Sequence, residues 1–265
     1  MLTTPRYPVA TAMLVALICV AASAHRANAE ALYAFDKNGD FFSIIDRSTG
    51  VDIVATGTPG ITGWRGAVLE PVSGTLYATD AEYLYTIDLT SGTPTQIGLF
   101  GSIVIRDLAF DDGDQLYGVT GNQGDNQHSL HLIDPSTAQA TLVVPLSGVR
   151  GHALALDPSE PGVLYHLAEN IFEKINLSTL ALNPIGLSGD PIVDSPLGMT
   201  FDPVSDVFRL FDNGCRYYTL ERDGTVSQVG QSAASYFGLA YDERPSPIIL
   251  FRDGFESGDT LAWEL

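Results

Sequence analysis

The sequence predicts an all-β fold, a five-bladed β-propeller whose ring is closed by its N- and C-terminal strands in one blade. A phrase with four short strands recurs about every 40 to 46 residues, which is a period typical of propeller blades. The phrase leaves no room for crossover helices, so its strands are expected to be antiparallel neighbours. The two ends of the repeat region carry complementary fragments of the phrase. A sandwich of two sheets is the competing fold, but it gives no reason for such a repeat.

The phrase is clearest in residues 66–98, GAVLEPVSGTLYATDAEYLYTIDLTSGTPTQIG. It holds four apolar runs of strand length, each bounded by Gly, Asp, Pro or Ser, which is a strand signal. In every copy the first strand ends on an apolar residue and an acid: Leu69-Glu70, Phe110-Asp111, Leu156-Asp157, Phe201-Asp202 and Tyr241-Asp242. We expect these acids to cap backbone amides in the turns that follow.

The second strand of each copy carries an apolar residue followed by an aromatic one: Leu32-Tyr33, Leu76-Tyr77, Leu116-Tyr117, Leu164-Tyr165 and Val207-Phe208. Such rings bury a large apolar area, and we expect them to pack between neighbouring blades.

The repeat region runs from residue 30 to residue 244. Its N-terminal part, from Ala31 to about Thr56, supplies strands two, three and four of a blade. Its C-terminal part, Ser235 to Asp242, supplies a first strand with nothing after it. The two parts therefore complete one blade, and their pairing removes an exposed sheet edge.

Residues 1–29 are predicted to be a signal peptide. Arg6 precedes an apolar run from Val9 to Ala24, and Ala27-Asn28-Ala29 suits signal peptidase. We expect cleavage after Ala29 and an extracellular or periplasmic location. The run is too short for a convincing membrane span, and no later segment is long enough for one. Without the signal, Cys215 is the single cysteine, which excludes an internal disulfide.

The chain is strongly acidic, with 32 Asp and Glu against 13 Lys and Arg and a formal net charge of −19. Such a surface repels phosphate backbones, so nucleic acid is excluded as a partner. A small molecule, a carbohydrate or a protein remain open as partners, and we expect a monomer.

The pattern x-G-h-x-h-D-P, then L-Y, I-D-x-x-T-G and T-x-I-G, where h is apolar, resembles the repeats of secreted bacterial β-propellers loosely related to the NHL and YVTN groups. The resemblance covers residues 31–244. It implies a fold and no single activity, because related propellers include scaffolds, ligand binders, lactonases and other hydrolases. The Trp-Asp ending of WD40 blades is absent.

Residues 245–265 leave the repeat after Pro245-Ser246-Pro247. They contain the segment DGFESGD, which resembles a short tail at the C-termini of various secreted proteobacterial proteins. We interpret this segment as a tail that either packs on the ring or acts as a sorting signal.

The starts of the first strands are expected to converge at one mouth of the central channel. The aligned positions there are Arg65, Arg106, His152, Leu197 and Phe237. Asp107 follows one of them, and two charged residues lie just upstream. The candidate ligand-binding residues are Arg65, Arg106, Asp107, Arg150, His152 and Asp194.

Two interpretations of this cluster stay open. In the first it is a structural plug, in which Asp107 pairs with an arginine. In the second it binds an anion or a carboxylate, because arginine presents a planar fork of donors suited to bidentate contacts. We favour a non-catalytic propeller for binding or scaffolding, with no catalytic residue assigned. The alternative is a lactonase-like hydrolase around Arg106, Asp107 and His152, with His152 as general base.

Two further features are weighed as ligand sites. Residues 120–128 of blade three form a polar, Gly-rich loop, either a flexible insertion or an arm for a sugar. His128 and His131 near its end are a weak metal pair. The sequence demands no cofactor. Calcium remains open at Asp36, Asn38 and Asp40, although Asn38-Gly39 is also a strong hairpin-turn signal.

Overall fold

The computed structural model describes residues 31–36, 42–56, 60–148, 150–190, 193, 195–234, 236–242 and 244 of the 265-residue chain. Four predicted features lie outside these residues, namely the signal peptide 1–29, the tip of the first hairpin at 37–41, Asp194 and the tail 245–265. The described secondary structure is entirely β. Among the described residues, no helix is long and apolar enough to cross a membrane.

The strands follow the predicted repeat. Blade one begins the chain with β1 (Ala31–Asp36), β2 (Phe42–Ile45) and β3 (Asp52–Thr56). Blade two has β4 (Ala67–Leu69), β5 (Leu76–Thr79), β6 (Tyr83–Ile87) and β7 (Pro94–Leu99). Blade three has β8 (Ile103–Phe110), β9 (Leu116–Gly124), β10 (Ser129–Ile133) and β11 (Ala140–Pro145).

Blade four has β12 (Ala153–Leu156), β13 (Val163–Ala168), β14 (Ile171–Asn176) and β15 (Leu182–Pro184). Blade five has β16 (Ser188–Asp190), β17 (Pro196–Asp202), β18 (Val207–Asp212), β19 (Arg216–Leu220) and β20 (Thr225–Gln231). The short strand β16 was not predicted, and it runs parallel to β20 on the outer edge. The last strand, β21 (Tyr236–Asp242), returns to blade one.

Strand β21 closes the ring as predicted. It pairs antiparallel with β1, with Leu32 opposite Tyr241 and Ala34 opposite Leu239. The resulting sheet has the order β21-β1-β2-β3, so the two complementary fragments of the repeat form one complete blade. The five-bladed propeller inferred from the spacing of the repeats is therefore confirmed.

The four aspartates that end first strands cap the following turns, as expected, whereas the carboxylate of Glu70 accepts from the hydroxyl of Ser73. The carboxylate of Asp111 accepts hydrogen bonds from the backbone N–H groups of Gly113 and Gln115, at 2.9 and 2.8 Å. Asp202 accepts from the N–H groups of Val204 and Ser205, both at 3.1 Å. These local bonds satisfy turn amides that would otherwise lack a partner, and they end each strand at a fixed residue.

The aromatic rings of the second strands pack between blades, as predicted. The ring centroid of Tyr77 lies 5.6 Å from that of Phe110 on the next blade. The centroids of Tyr165 and Phe208, on blades four and five, are 4.6 Å apart. Rings at this spacing add favourable contacts to the apolar area that they bury. Interblade packing of these aromatic side chains therefore holds the ring together.

The first strand of each blade, β4, β8, β12, β17 or β21, faces the centre of the ring, and neighbours among these strands contact each other. Their later residues surround an apolar cavity of about 270 Å³. Their starts surround a second cavity, at the opposite end of the channel. The side chain of Asp107 is fully buried at the level between the two cavities.

Candidate functional site

The cavity at the starts of the inner strands has a volume of about 250 Å³. The position predicted from the alignment lines it in every blade: Arg65, Arg106, His152, Leu197 and Phe237. The remaining lining residues are Gly121, Asn122, Arg150, Gly151, Ser195 and Pro196. We call this cavity the mouth. None of the described residues that line it is acidic.

Two arginines dominate the electrostatics of the mouth. The guanidinium of Arg65 lies over the ring of Phe237, 4.5 Å from its centroid. Burial lowers the pKa of Arg65, although the charge of Asp80 acts in the opposite direction. Burial also lowers the pKa of Arg106, and the positive charge of Arg65 lowers it further. The two cations are thus partly desolvated and repel each other, so an anion placed between them is attracted by both.

Few hydrogen bonds to these two guanidinium groups are made by the described residues. Arg106 donates through Nη2 to Oε1 of Gln123 at 2.8 Å. The buried Nε of Arg65 has no hydrogen-bond partner among the described residues. Arg150 lies further out, with 71% of its side chain exposed and its Nε 3.9 Å from Oε1 of Glu169. Arg65 and Arg106 therefore form the inner cationic part of the mouth, and Arg150 its rim.

Asp107 does not line the mouth, and its buried carboxylate faces the backbone of the inner strands. Its carboxylate accepts hydrogen bonds from the backbone N–H groups of Leu108 at 3.0 Å, Leu154 at 2.9 Å and Met199 at 3.2 Å. Burial raises the pKa of Asp107, and these N–H donors act against that rise. The expected pairing with an arginine is wrong, because the buried carboxylate is saturated by the backbone of three inner strands.

A chain of hydrogen-bonded side chains starts beside the mouth and runs into blade four. Nδ1 of His128 lies 2.9 Å from Nε2 of His152, and Nδ1 of His152 lies 2.9 Å from Nε2 of His166. Nδ1 of His166 lies 3.0 Å from Oε1 of Glu173, which also accepts from the N–H of Ser147 at 3.3 Å. We call His128, His152, His166 and Glu173 the histidine chain. His128 is half-buried and the other three are buried.

The carboxylate of Glu173 determines which atom donates in each hydrogen bond of the histidine chain. Burial alone would raise the pKa of Glu173, but the bonds from His166 and Ser147 hold it below its ordinary value. An ionised carboxylate only accepts, so Nδ1 of His166 carries a proton. With neutral rings, His152 then donates to His166, and His128 donates to His152. The arrangement leaves Nε2 of His128 as an unprotonated atom at the outer end.

This chain also corrects the role expected of His152. Both of its ring nitrogens are engaged by other histidines, so it is not free to act as a general base beside Asp107. Burial, with His166, His128 and Arg106 nearby, lowers the pKa of His152 to about 3. Within the histidine chain, Nε2 of His128 is the one ring nitrogen that neither another histidine nor Glu173 engages.

Sequence reasoning missed His166 and Glu173, although one signal pointed to them. They lie opposite each other in the β13–β14 hairpin, whose two-residue turn is Glu169-Asn170. Once the turn is placed between Ala168 and Ile171, the antiparallel register puts His166 opposite Glu173. The contact between His166 and His152 depends on how further strands lie against this hairpin, and the register of one hairpin does not predict that.

The polar loop of blade three is more regular than a flexible insertion. Strand β9 continues through it to Gly124 and pairs with β8 as far as Ile103. His131 is buried in β10 and takes no part in the histidine chain. Within the described part of the chain, no group of three or more His, Cys, Asp or Glu side chains is placed to hold a metal ion. Of the three calcium candidates, only Asp36 is described, and it is buried in β1.

Together the ring and its mouth define the class of the protein, a five-bladed β-propeller with a cationic channel mouth. No protein family profile matches the sequence, and no curated protein matches it. The fold is similar to a chain in the crystal structure of a nidogen/laminin complex, with a TM-score of 0.59 and 14% identity over 80% of this chain and 98% of that one. It is also similar to glutaminyl cyclase from Myxococcus xanthus, with a TM-score of 0.50 and 18% identity over 77% of this chain and 74% of that one. These likenesses show the fold alone.

Proposed function

We propose that this propeller binds a small organic anion, most simply a carboxylate, at the mouth of its channel. One observation carries the proposal: Arg65 and Arg106 face one cavity, both partly desolvated, and none of its described lining residues is acidic. In a chain with 32 acidic residues, a cavity lined by three arginines is unlike the surface as a whole. A bound carboxylate would relieve the repulsion between the guanidinium groups.

The shape of the mouth supports a small ligand. Its volume is about 250 Å³, and its lining residues lie at or just before the starts of the inner strands and near the end of β9. Phe237 and Leu197 give it an apolar wall beside the two guanidinium groups. A short dicarboxylate has charged ends for Arg65 and Arg106 and an apolar or planar centre for this wall. A neutral sugar offers nothing that the cations specifically favour.

Isothermal titration calorimetry with oxalate, malonate, acetate and glucose tests the proposal. We expect the dicarboxylates to bind and glucose to give no heat. Arg106→Gln should weaken oxalate binding on the order of ten- to a hundredfold, since a hydrogen bond to a charged group contributes about 1.5–3 kcal/mol. Arg47→Gln is the matched control, because it removes the same charge from a residue that lies beside Tyr241, away from the mouth. Equal affinities for glucose and the anions, or equal effects of the two substitutions, would contradict anion binding.

A second candidate function is hydrolysis of an ester or lactone, and the histidine chain is the observation that favours it. Nε2 of His128 would take a proton from water, the hydroxide would attack the carbonyl carbon, and the departing alkoxide would recover the proton. A pH-stat assay on simple lactones distinguishes the two functions. Turnover that disappears in His128→Asn would favour the hydrolase. Anion binding without any turnover would favour the binding protein.

A further inference from the structure

The two ends of the histidine chain have opposite electrostatic surroundings. At the outer end, His128 lies in the β9–β10 connection and His152 faces the positive charge of Arg106 from β8. At the inner end, Glu173 on β14 lies beside His166 on β13 and accepts from the backbone of Ser147. The ion pair of Arg150 and Glu169 lies on the nearby rim. A positive charge on the chain is therefore disfavoured near the mouth and favoured beside Glu173.

The chain has the connectivity that proton transfer requires. Each histidine offers one ring nitrogen to each neighbour, and the three contacts measure 2.9, 2.9 and 3.0 Å. The centroids of the successive rings are 5.1 and 5.2 Å apart. A proton can thus enter at one end and a different proton can settle at the other, with no ring leaving its place.

We propose that the mouth takes up its anion together with one proton, and that the histidine chain moves the charge of this proton to the side of Glu173. The inference rests on the proposed anion-binding function and adds its coupling to protonation. Without an anion, Arg65 and Arg106 oppose any further positive charge beside them. A bound carboxylate neutralises this field, and the cost of protonating the chain falls.

The proton charge moves along the histidine chain in three steps, and the number of protons is conserved in each. A proton from solvent binds Nε2 of His128, and the Nδ1 proton of His128 passes to Nε2 of His152. The Nδ1 proton of His152 passes to Nε2 of His166. His128 and His152 end as neutral Nε2–H rings, and His166 carries both of its protons next to the carboxylate of Glu173. One proton has been gained, and the positive charge lies two rings further from the arginines.

Calorimetry in two cationic buffers with different heats of ionisation, Bis-Tris and Tris, measures the protons taken up. Oxalate is the probe, because it carries no titrating group near pH 7. We expect about one proton per bound oxalate, and an affinity that falls by up to about tenfold for each unit of pH above the range in which the chain is protonated. In Glu173→Gln, the number of protons taken up per bound oxalate should fall toward zero while oxalate still binds. Glu221→Gln is the control, with the same change at an exposed turn of blade five, outside the mouth and the histidine chain, and it should retain the uptake.

The outcomes separate the inference from the function on which it rests. Oxalate that binds with the same enthalpy in both buffers would overturn proton uptake and leave anion binding intact. Equal proton uptake in Glu173→Gln and the parent chain would overturn the role of Glu173.

Nitrogen-15 NMR of the histidine rings in the unchanged protein tests the proposed protonation pattern of the histidine chain. It does so even if no carboxylate binds or a variant fails to fold. We expect His128, His152 and His166 all to be Nδ1–H tautomers at neutral pH, and to change together on acidification. Nε2–H tautomers at neutral pH, or rings that titrate independently, would overturn the proposed transfer.

Discussion

At the scale of single residues, Asp107 joins three inner strands through one carboxylate. Replacing it by asparagine puts an N–H donor against the N–H groups of Leu108, Leu154 or Met199, so at least one buried donor loses its partner. Such a loss costs about 1–3 kcal/mol for each group. We expect Asp107→Asn to lower the free energy of unfolding by about 2–4 kcal/mol in urea titrations.

The exposed residue Asp114 provides the control for this substitution. It has a φ of +58°, a conformation that asparagine tolerates as well as aspartate does. Asp114→Asn should stay within about 0.5 kcal/mol of the parent chain. If the two variants unfold at the same urea concentration, Asp107 does not hold the inner strands together.

The buried ring of His152 makes stability depend on pH. Its pKa is lowered to about 3, chiefly by burial, whereas an exposed histidine titrates near about 6.5. Between these values the unfolded chain binds more protons than the folded one, so stability falls as the pH drops from about 6.5 toward 3. Without an anion, we expect a loss of about 1–2 kcal/mol between pH 6.5 and pH 5.

Urea titrations of the parent chain and of His152→Gln over this range check the prediction. The carboxylates of the two proteins are the same, so the difference in slope reports the histidine. The variant should lose less stability on acidification than the parent chain does. Parallel curves would show that His152 is not kept neutral by the fold.

At the scale of elements, local chemistry explains why some features were predictable and others were not. An aspartate that ends a first strand binds turn amides only two to four residues away, as Asp111 does with Gly113 and Gln115. Such a motif is readable in any copy of the repeat. The pair of His166 and Glu173 was equally local, being fixed by the turn of one hairpin. It was missed because His166 and Glu173 are single polar residues within apolar strands. Neither residue changes the predicted bounds of its strand, so neither one stood out in the sequence.

The individual hydrogen bonds that join neighbouring blades were beyond the reach of the sequence. The repeat predicts that Arg65, Arg106 and His152 begin equivalent strands, and the structure brings them to one cavity. It does not predict that the carboxylate of Asp107 turns to the backbone of its neighbours, because this depends on how closely the inner strands approach. The signal peptide, the calcium candidate and the role of the tail stay predictions.

At the scale of the whole molecule, the ring depends on one non-local pairing, between the first and last strands. Deletion of residues 235–265 removes β21, which buries Tyr236, Leu239 and Ala240 and covers the edge of β1. Deletion of residues 245–265 is the matched control, because it keeps β21 and the bonds from Arg244 to Asp242 and to the carbonyl of Gly74. We expect the longer deletion to abolish cooperative thermal unfolding, since the loss approaches the whole net stability of a domain, about 5–15 kcal/mol.

The exposed edge of β1 then offers a template for pairing with other chains, so size-exclusion chromatography should show the longer deletion as aggregates. The shorter deletion should elute as the parent chain does and unfold cooperatively. A synthetic peptide of residues 236–244 should restore cooperative unfolding to the longer deletion, because it supplies the missing inner strand and its register with β1. If the longer deletion stays folded and of unchanged size without the peptide, four blades and an open edge are stable by themselves, and closure of the ring is not what holds this propeller together.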